Sequence, residues 1–281
     1  MSFQPSVPLS GVGGWALLKR TEEAQREAFG KGPALARDIE YFKENIAAAD
    51  TAEKLVADSR LLKVALGAFG LEEEAFKKAL IRKALEDGST ASDSLAVRLV
   101  DSKWKRFVGA FGYGDIIGAQ VAVPGFAEKI TEAYESRAFD AAVGDSDDTL
   151  RLALNFRREI TRYANGAEPD GYTWFEVLGD KPVRAVLESA FGLPSDFGSL
   201  DIDRQRGDMR DKLSDLAGDS SLAVFNDPEV VEAALTRFLA RSAAANGPNA
   251  NTPGATALTL LSSSVGVGGG AVAGLLLSNA G

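Results

Sequence analysis

Three stretches of this sequence start at an aspartate and reach a Phe-Gly pair ten or eleven residues later, a recurrence that constrains the fold more than any other feature. They run from Asp58 to Ala68-Phe69-Gly70-Leu71, from Asp101 to Ala110-Phe111-Gly112-Tyr113, and from Asp180 to Ala190-Phe191-Gly192-Leu193. Each reads as one capped helix. The aspartate accepts from free N–H groups at the helix start, and the glycine adopts the left-handed conformation that ends it. Residues three, seven and eleven positions after the aspartate share a face: Leu61, Ala65 and Phe69 in the first copy, Val183, Leu187 and Phe191 in the third. A fainter copy from Asp227-Pro228 places Val230, Ala234 and Phe238 likewise, without the closing glycine. The second copy is one residue short, so an ideal helix would rotate Phe111 by about 100° from its counterparts, although Trp104 keeps the place of Leu61.

The remaining patterning is also helical. Leu35, Ile39, Phe42 and Ile46 follow Pro33 on one face; Phe126, Ile130 and Tyr134 make a second stripe, and Leu152, Phe156, Ile160 and Tyr163 a third. Asp50 with Glu53 reads as a capping box opening the helix that carries Leu55. The short run Ile116 to Val123, between Gly114 and Pro124-Gly125, reads as loop or an isolated strand. The expected fold is all-α, an irregular orthogonal helical array. Its body spans 15–244, with related halves at about 33–112 and 146–241 joined through Gly112 to Gly125.

Both ends differ from this body. Residues 1–14 hold no charge, and Pro5, Pro8 and Gly11 to Gly14 predict an extended segment until a helix opens near Trp15. Lys19 and Arg20 follow Leu17 and Leu18 instead of preceding an apolar run, so no Sec signal is read. From 245 to 281 the chain turns to small residues, Gly and Ser, which reads as a flexible low-complexity tail. Its uncharged stretch is long enough to span a bilayer, but Ser262 to Ser264 and Gly268 to Gly270 argue against a membrane anchor.

Composition narrows the chemistry. The 281 residues include no cysteine and no histidine, which removes thiolate nucleophiles, disulfides, Ser-His dyads and the commonest transition-metal ligands. A net charge of −9 without a large basic cluster argues against nucleic acid and anionic membranes. Gly266 to Ala271 fits a dinucleotide fingerprint by spacing alone, with no strand–helix–strand context and too little chain beyond it. Gly11 to Gly14 lacks a following Walker lysine and reads as a hinge. Asp201-Ile-Asp203 opens like a calcium loop, yet Arg206 stands where that loop needs glycine; it and Asp145-Ser-Asp147-Asp148 read as helix caps. Glu72, Glu73 and Glu74 read as a solvated helix start, able to act as acids only if another carboxylate approached. Neither a cofactor nor a catalytic or metal site is expected. Trp15, beside the extended segment, is the candidate partner contact.

Pro5 to Gly14 leading into Trp15-Ala-Leu-Leu and Thr21, Phe42, Leu55, Asp58 to Leu71, Tyr134, Phe139 to Gly144, Arg151 to Asn155, and Trp174 to Pro194 together form a specific combination. In these the chain resembles a family of bacterial proteins that carries a domain of unknown function and is encoded in alphaproteobacterial flagellar gene clusters. The likeness covers about residues 1–241 and implies association with the flagellar apparatus. It carries no site residues with it. Flagellar axial proteins commonly lack cysteine and are exported with an uncleaved N-terminus, and this chain is similar in both respects; without evident long terminal heptads it departs from rod, hook and filament proteins.

The expected role is a non-enzymatic flagellum-associated structural, export or assembly protein working through protein partners, in the cytoplasm or exported through the flagellar channel. The alternative is a cytoplasmic chaperone-like binder of flagellar export substrates. A carboxylate-based hydrolase ranks below both.

Overall fold

The computed structural model describes residues 3–99, 101–166 and 173–246. It is all-α, with no strand among the described residues. The helices are α1 (Gly11–Gly30), α2 (Pro33–Asn45), α3 (Ala52–Ala57), α4 (Ser59–Gly67), α5 (Lys78–Asp87), α6 (Leu95–Arg98), α7 (Ser102–Phe111), α8 (Phe126–Gly144), α9 (Asp148–Asn165), α10 (Thr173–Gly179), α11 (Lys181–Phe191), α12 (Ile202–Ala217) and α13 (Pro228–Asn246). Short 3-10 turns link several of them. The expected tail falls almost wholly outside the described residues.

The repeated aspartates do cap helices. Asp58 accepts from Arg60 N and Leu61 N at 2.9 and 3.1 Å, Asp101 from Lys103 N at 2.9 Å, Asp180 from Val183 N at 3.5 Å and Asp227 from Glu229 N at 2.9 Å. Gly112 and Gly192 end α7 and α11 with φ of 68° and 67°, the left-handed region a side chain enters at a steric cost. In the first copy, α4 stops early at Gly67 and Phe69 sits in the following turn, only half-buried. The expected misplacement of Phe111 does not strand it. Because α7 is covered on more than one face, Phe107 and Phe111 are both wholly buried, Phe107 edge-on to Phe69 and Phe111 edge-on to Phe126.

Two hydrophobic clusters result. One gathers residues from Phe42 to Tyr134 and the other residues from Phe139 to Leu239 together with Trp15 and Leu18. These clusters do not follow the bounds of the expected halves, 33–112 and 146–241. Helix α8 belongs to both cores, with Ile130 and Tyr134 in the first and Phe139 and Val143 in the second, while α1 packs onto the C-terminal half.

Two local expectations are corrected. Helix α1 begins at Gly11 instead of near Trp15, because glycine lets the chain pack closely: a Cβ on Gly14 would overlap the Leu9 carbonyl, and one on Gly11 would touch Ala243 on α13. Only residues up to Ser10 precede the helix. Of these, residues 3–10 run back along it, held where Gln25 accepts from Ser6 N and donates to Ser6 O. The cap of α3 is Thr51, which accepts from Lys54 N at 3.3 Å, whereas Asp50 pairs with the Lys54 ammonium at 2.7 Å.

Candidate functional site

Where the two cores meet, α8 and α9 carry charge instead of apolar side chains. One face of α9 buries Phe156, Ile160 and Tyr163; Asn155, Arg158, Glu159 and Arg162 turn toward the seam. On α8 the apolar stripe of Ile130 and Tyr134 gives way to Arg137 and Asp140. Glu159, 3% exposed, takes Arg106 at 2.8 Å, Arg162 at 3.1 Å and Arg137 in a short contact, with Arg158 at 3.5 Å. Asp140 receives Arg26 at 3.0 Å and Arg158 closely, and Glu22 receives Arg26 and Arg157. Six guanidinium groups therefore converge on three carboxylates.

Electrostatics follow from that imbalance. Burial alone would raise the Glu159 carboxyl, but Arg106, Arg137, Arg158 and Arg162 outweigh it and hold the group at about 2. Burial and the neighbouring arginines Arg158 and Arg106 pull Arg137 below its usual value, against the opposing pull of Glu159. Arg106 Nε and Nη2, Arg158 Nε, Arg162 Nη2 and Asn155 Nδ2 are buried with no hydrogen-bond acceptor.

Beside this network a hydroxyl ties two of the repeated caps together. Tyr163 Oη lies 3.2 Å from Ser102 Oγ at the start of α7 and donates to Asp180 Oδ2, also at 3.2 Å, at the start of α11. Asp180 is wholly buried, and burial pushes its carboxyl upward. Burial, then the Asp180 charge, pushes the Tyr163 phenol up as well.

Two hollows flank the seam. A cleft of about 700 Å³ is lined by Glu72, Glu73 and Glu74 and by Lys103, Arg137, Arg151, Arg158 and Lys181, with Asp101 and Asp140. The glutamates, expected at a solvated helix start, form one 3-10 turn on its edge. The further carboxylates that an acid pair would need are near, but Asp140 is bound to two arginines and Asp101 caps α7. The second hollow, about 530 Å³, is lined by Phe69, Ala110, Phe126 and Ile130 and by Lys105, Arg106 and Arg162. Among the described residues no group of three or more Asp and Glu is placed to hold a metal ion. Asp201 and Asp147 serve as caps, accepting from Asp203 N and Thr149 N at 2.9 Å. No helix among the described residues is long and apolar enough to cross a membrane.

Trp15, the expected partner contact, is only 2% exposed. Its ring packs in the C-terminal core beneath Lys19 and Arg157, and its Nε1 donates to Glu232 at 3.1 Å. The earlier start of α1 turns it inward. Apolar side chains that face solvent lie elsewhere: Phe76 is 78% exposed, and Ile116, fully exposed, and Ile117, 72% exposed, stand next to each other in the segment 112–125, whose run Ile116 to Val123 is expected to be loop or an isolated strand. That segment is a loop with firm anchors. The Asp115 carboxylate accepts from Ser89 N at 2.7 Å and Ser89 Oγ at 2.8 Å, Gln120 N donates to Phe111 O at 2.9 Å, and Gln120 Nε2 donates to Gly118 O at 2.7 Å. Val121 is buried, and Tyr113 stacks on Phe111 and donates to Ala49 O. Apolar patterning could not single out Ile116 and Ile117, since the same residue types fill the core.

Comparison with known proteins places these features in a family. A crystal structure of a protein from Agrobacterium tumefaciens superposes with a TM-score of 0.71, is 24% identical, and covers 87% of this chain and 100% of its own. That likeness shows a shared fold. No curated protein matches. The pattern of the family described as protein of unknown function, DUF1217, matches residues 68–231, which takes in α5 to α12, the loop and the seam apart from Glu22 and Arg26. With more than half its length matched, the chain belongs to the DUF1217 family.

Proposed function

We propose that this chain is a non-enzymatic structural, export or assembly protein of the bacterial flagellum, and that Ile116 and Ile117 make its main protein contact. The carrying observation is the loop. Two adjacent isoleucines stand in water on backbone fixed by Asp115, Gln120 and Val121, so docking them on a partner buries apolar surface with little ordering cost. The flagellar part of the reading is supported by the resemblance carried by Asp58 to Leu71 and Trp174 to Pro194.

The test is the location of the tagged chain in flagellated cells, compared between cytoplasm, hook–basal-body preparations and medium, with and without a working export ATPase. Co-fractionation with basal bodies, or export-dependent appearance outside the cell, is expected. Absence from flagellar fractions together with no binding to flagellar components would overturn the reading. Retention in the cytoplasm bound to export substrates would replace it with the chaperone-like role.

A further inference from the structure

The hollow of about 530 Å³ between α7 and α8 has the size and lining of a small-molecule site, mostly apolar with a few convergent polar groups. Phe69, Ala110, Phe126 and Ile130 form its apolar wall. The charged side chains that line it are uneven: Lys105, Arg106, Lys129 and Arg162 against Glu176 alone. Arg106 and Arg162 also belong to the seam, where guanidinium groups outnumber carboxylates two to one. Three of their nitrogens, Arg106 Nε and Nη2 and Arg162 Nη2, are buried without an acceptor. Unbalanced buried positive charge is costly, and an anion beside it offsets that cost. The larger cleft on the other side offers no such bias, since five acidic and five basic side chains line it.

We infer that this cavity binds an apolar molecule that ends in a carboxylate. The apolar part lies along Phe69, Phe126 and Ile130, and the carboxylate meets the exposed parts of Arg162, Arg106 and Lys105, whose side chains supply only donors. A carboxylate suits this end because a guanidinium fork matches its planar oxygens. The free acid of a short alkyl chain and the C-terminus of an apolar peptide share that chemistry. The inference stands apart from the Ile116 and Ile117 contact.

The test is calorimetric titration of the full chain with octanoate, with octanol, and with a short apolar peptide carrying either a free or an amidated C-terminus. Saturable binding of octanoate is expected, with octanol weaker by about tenfold, the equivalent of one charge-assisted hydrogen bond. Arg162→Gln is expected to weaken octanoate by a similar factor, and Ala110→Leu, which fills the wall, to abolish binding. If Arg162→Gln fails to fold, Ala110→Leu and the octanol comparison still decide. Binding of only the free-acid peptide would support the inference and identify a chain terminus as the source. Equal affinity for octanoate and octanol, or no saturable binding of either carboxylate, would overturn it.

Discussion

Arg137 on α8 reaches across the seam to the Glu159 carboxylate on α9, joining a helix shared by both cores to the middle of the second. Glu159 also holds Arg106 and Arg162, so removing its charge leaves buried guanidinium groups facing one another. Glu159→Gln is expected to cost about 3–5 kcal/mol at pH 7, the range for breaking a buried pair from one side. Urea unfolding measures it, and a loss below about 1 kcal/mol would mean the seam is not stabilised through this carboxylate.

The same group sets an acid dependence. With its folded value at about 2 against an ordinary 4.5, Glu159 stays ionised in the native chain while the unfolded chain takes up a proton. Its contribution is therefore complete above about pH 4.5 and is lost as pH falls toward 2, by up to about 3 kcal/mol. Comparing urea midpoints at pH 7 and pH 3 should show a larger drop for the wild-type chain than for Glu159→Gln. Equal drops would contradict the arrangement.

Phe69 and Phe191 occupy equivalent places in the repeat but not equivalent surroundings. Phe191 is 7% exposed, whereas Phe69 is half-buried against Phe107. Phe191→Ala is expected to cost about 3–5 kcal/mol. Phe69→Ala should cost about 1–2 kcal/mol, in proportion to the smaller area removed from water. Thermal unfolding of both variants checks the order, and a reversed order would show that the first copy is packed more tightly than its burial indicates.

The caps differ in the same way. Asp101→Ala removes an exposed-side cap and should cost about 1 kcal/mol. Asp180→Ala also takes a charged acceptor from the buried Tyr163 hydroxyl, so about 2–3 kcal/mol is expected. Asp180→Asn keeps an acceptor for Val183 N without a buried charge and should be close to neutral. Equal losses for the two alanine variants, in chemical denaturation, would remove Tyr163 from the account.

What was legible beforehand follows periodicity. The Asp to Phe-Gly cassettes and the all-α class are legible because caps, apolar stripes and glycine ends are local and regular. The seam could have been suspected from one irregularity: Arg137 takes the next stripe position after Ile130 and Tyr134, where an apolar residue was due. Its partners could not, since Arg106, Arg137 and Glu159 are brought together by tertiary packing between distant helices. The burial of Trp15 is hidden for a related reason: Gly11 to Gly14 read as a hinge, and the close approach of Gly14 to Leu9 and of Gly11 to α13 arises only in the folded chain. Ile116 and Ile117 carried no sign of their exposure, which depends on Asp115 meeting Ser89.

Ile116 and Ile117, proposed to bind a flagellar partner, stand outside the core and lend the fold little support. The most direct measurement compares wild-type chain with the double variant Ile116→Asp and Ile117→Asp, scoring recovery in hook–basal-body preparations beside unfolding stability. Recovery is expected to fall at least about tenfold, the loss of roughly one buried isoleucine's worth of free energy. Stability should stay within about 0.5 kcal/mol, as for exposed substitutions away from special features. Unchanged recovery of a stably folded double variant would contradict the account.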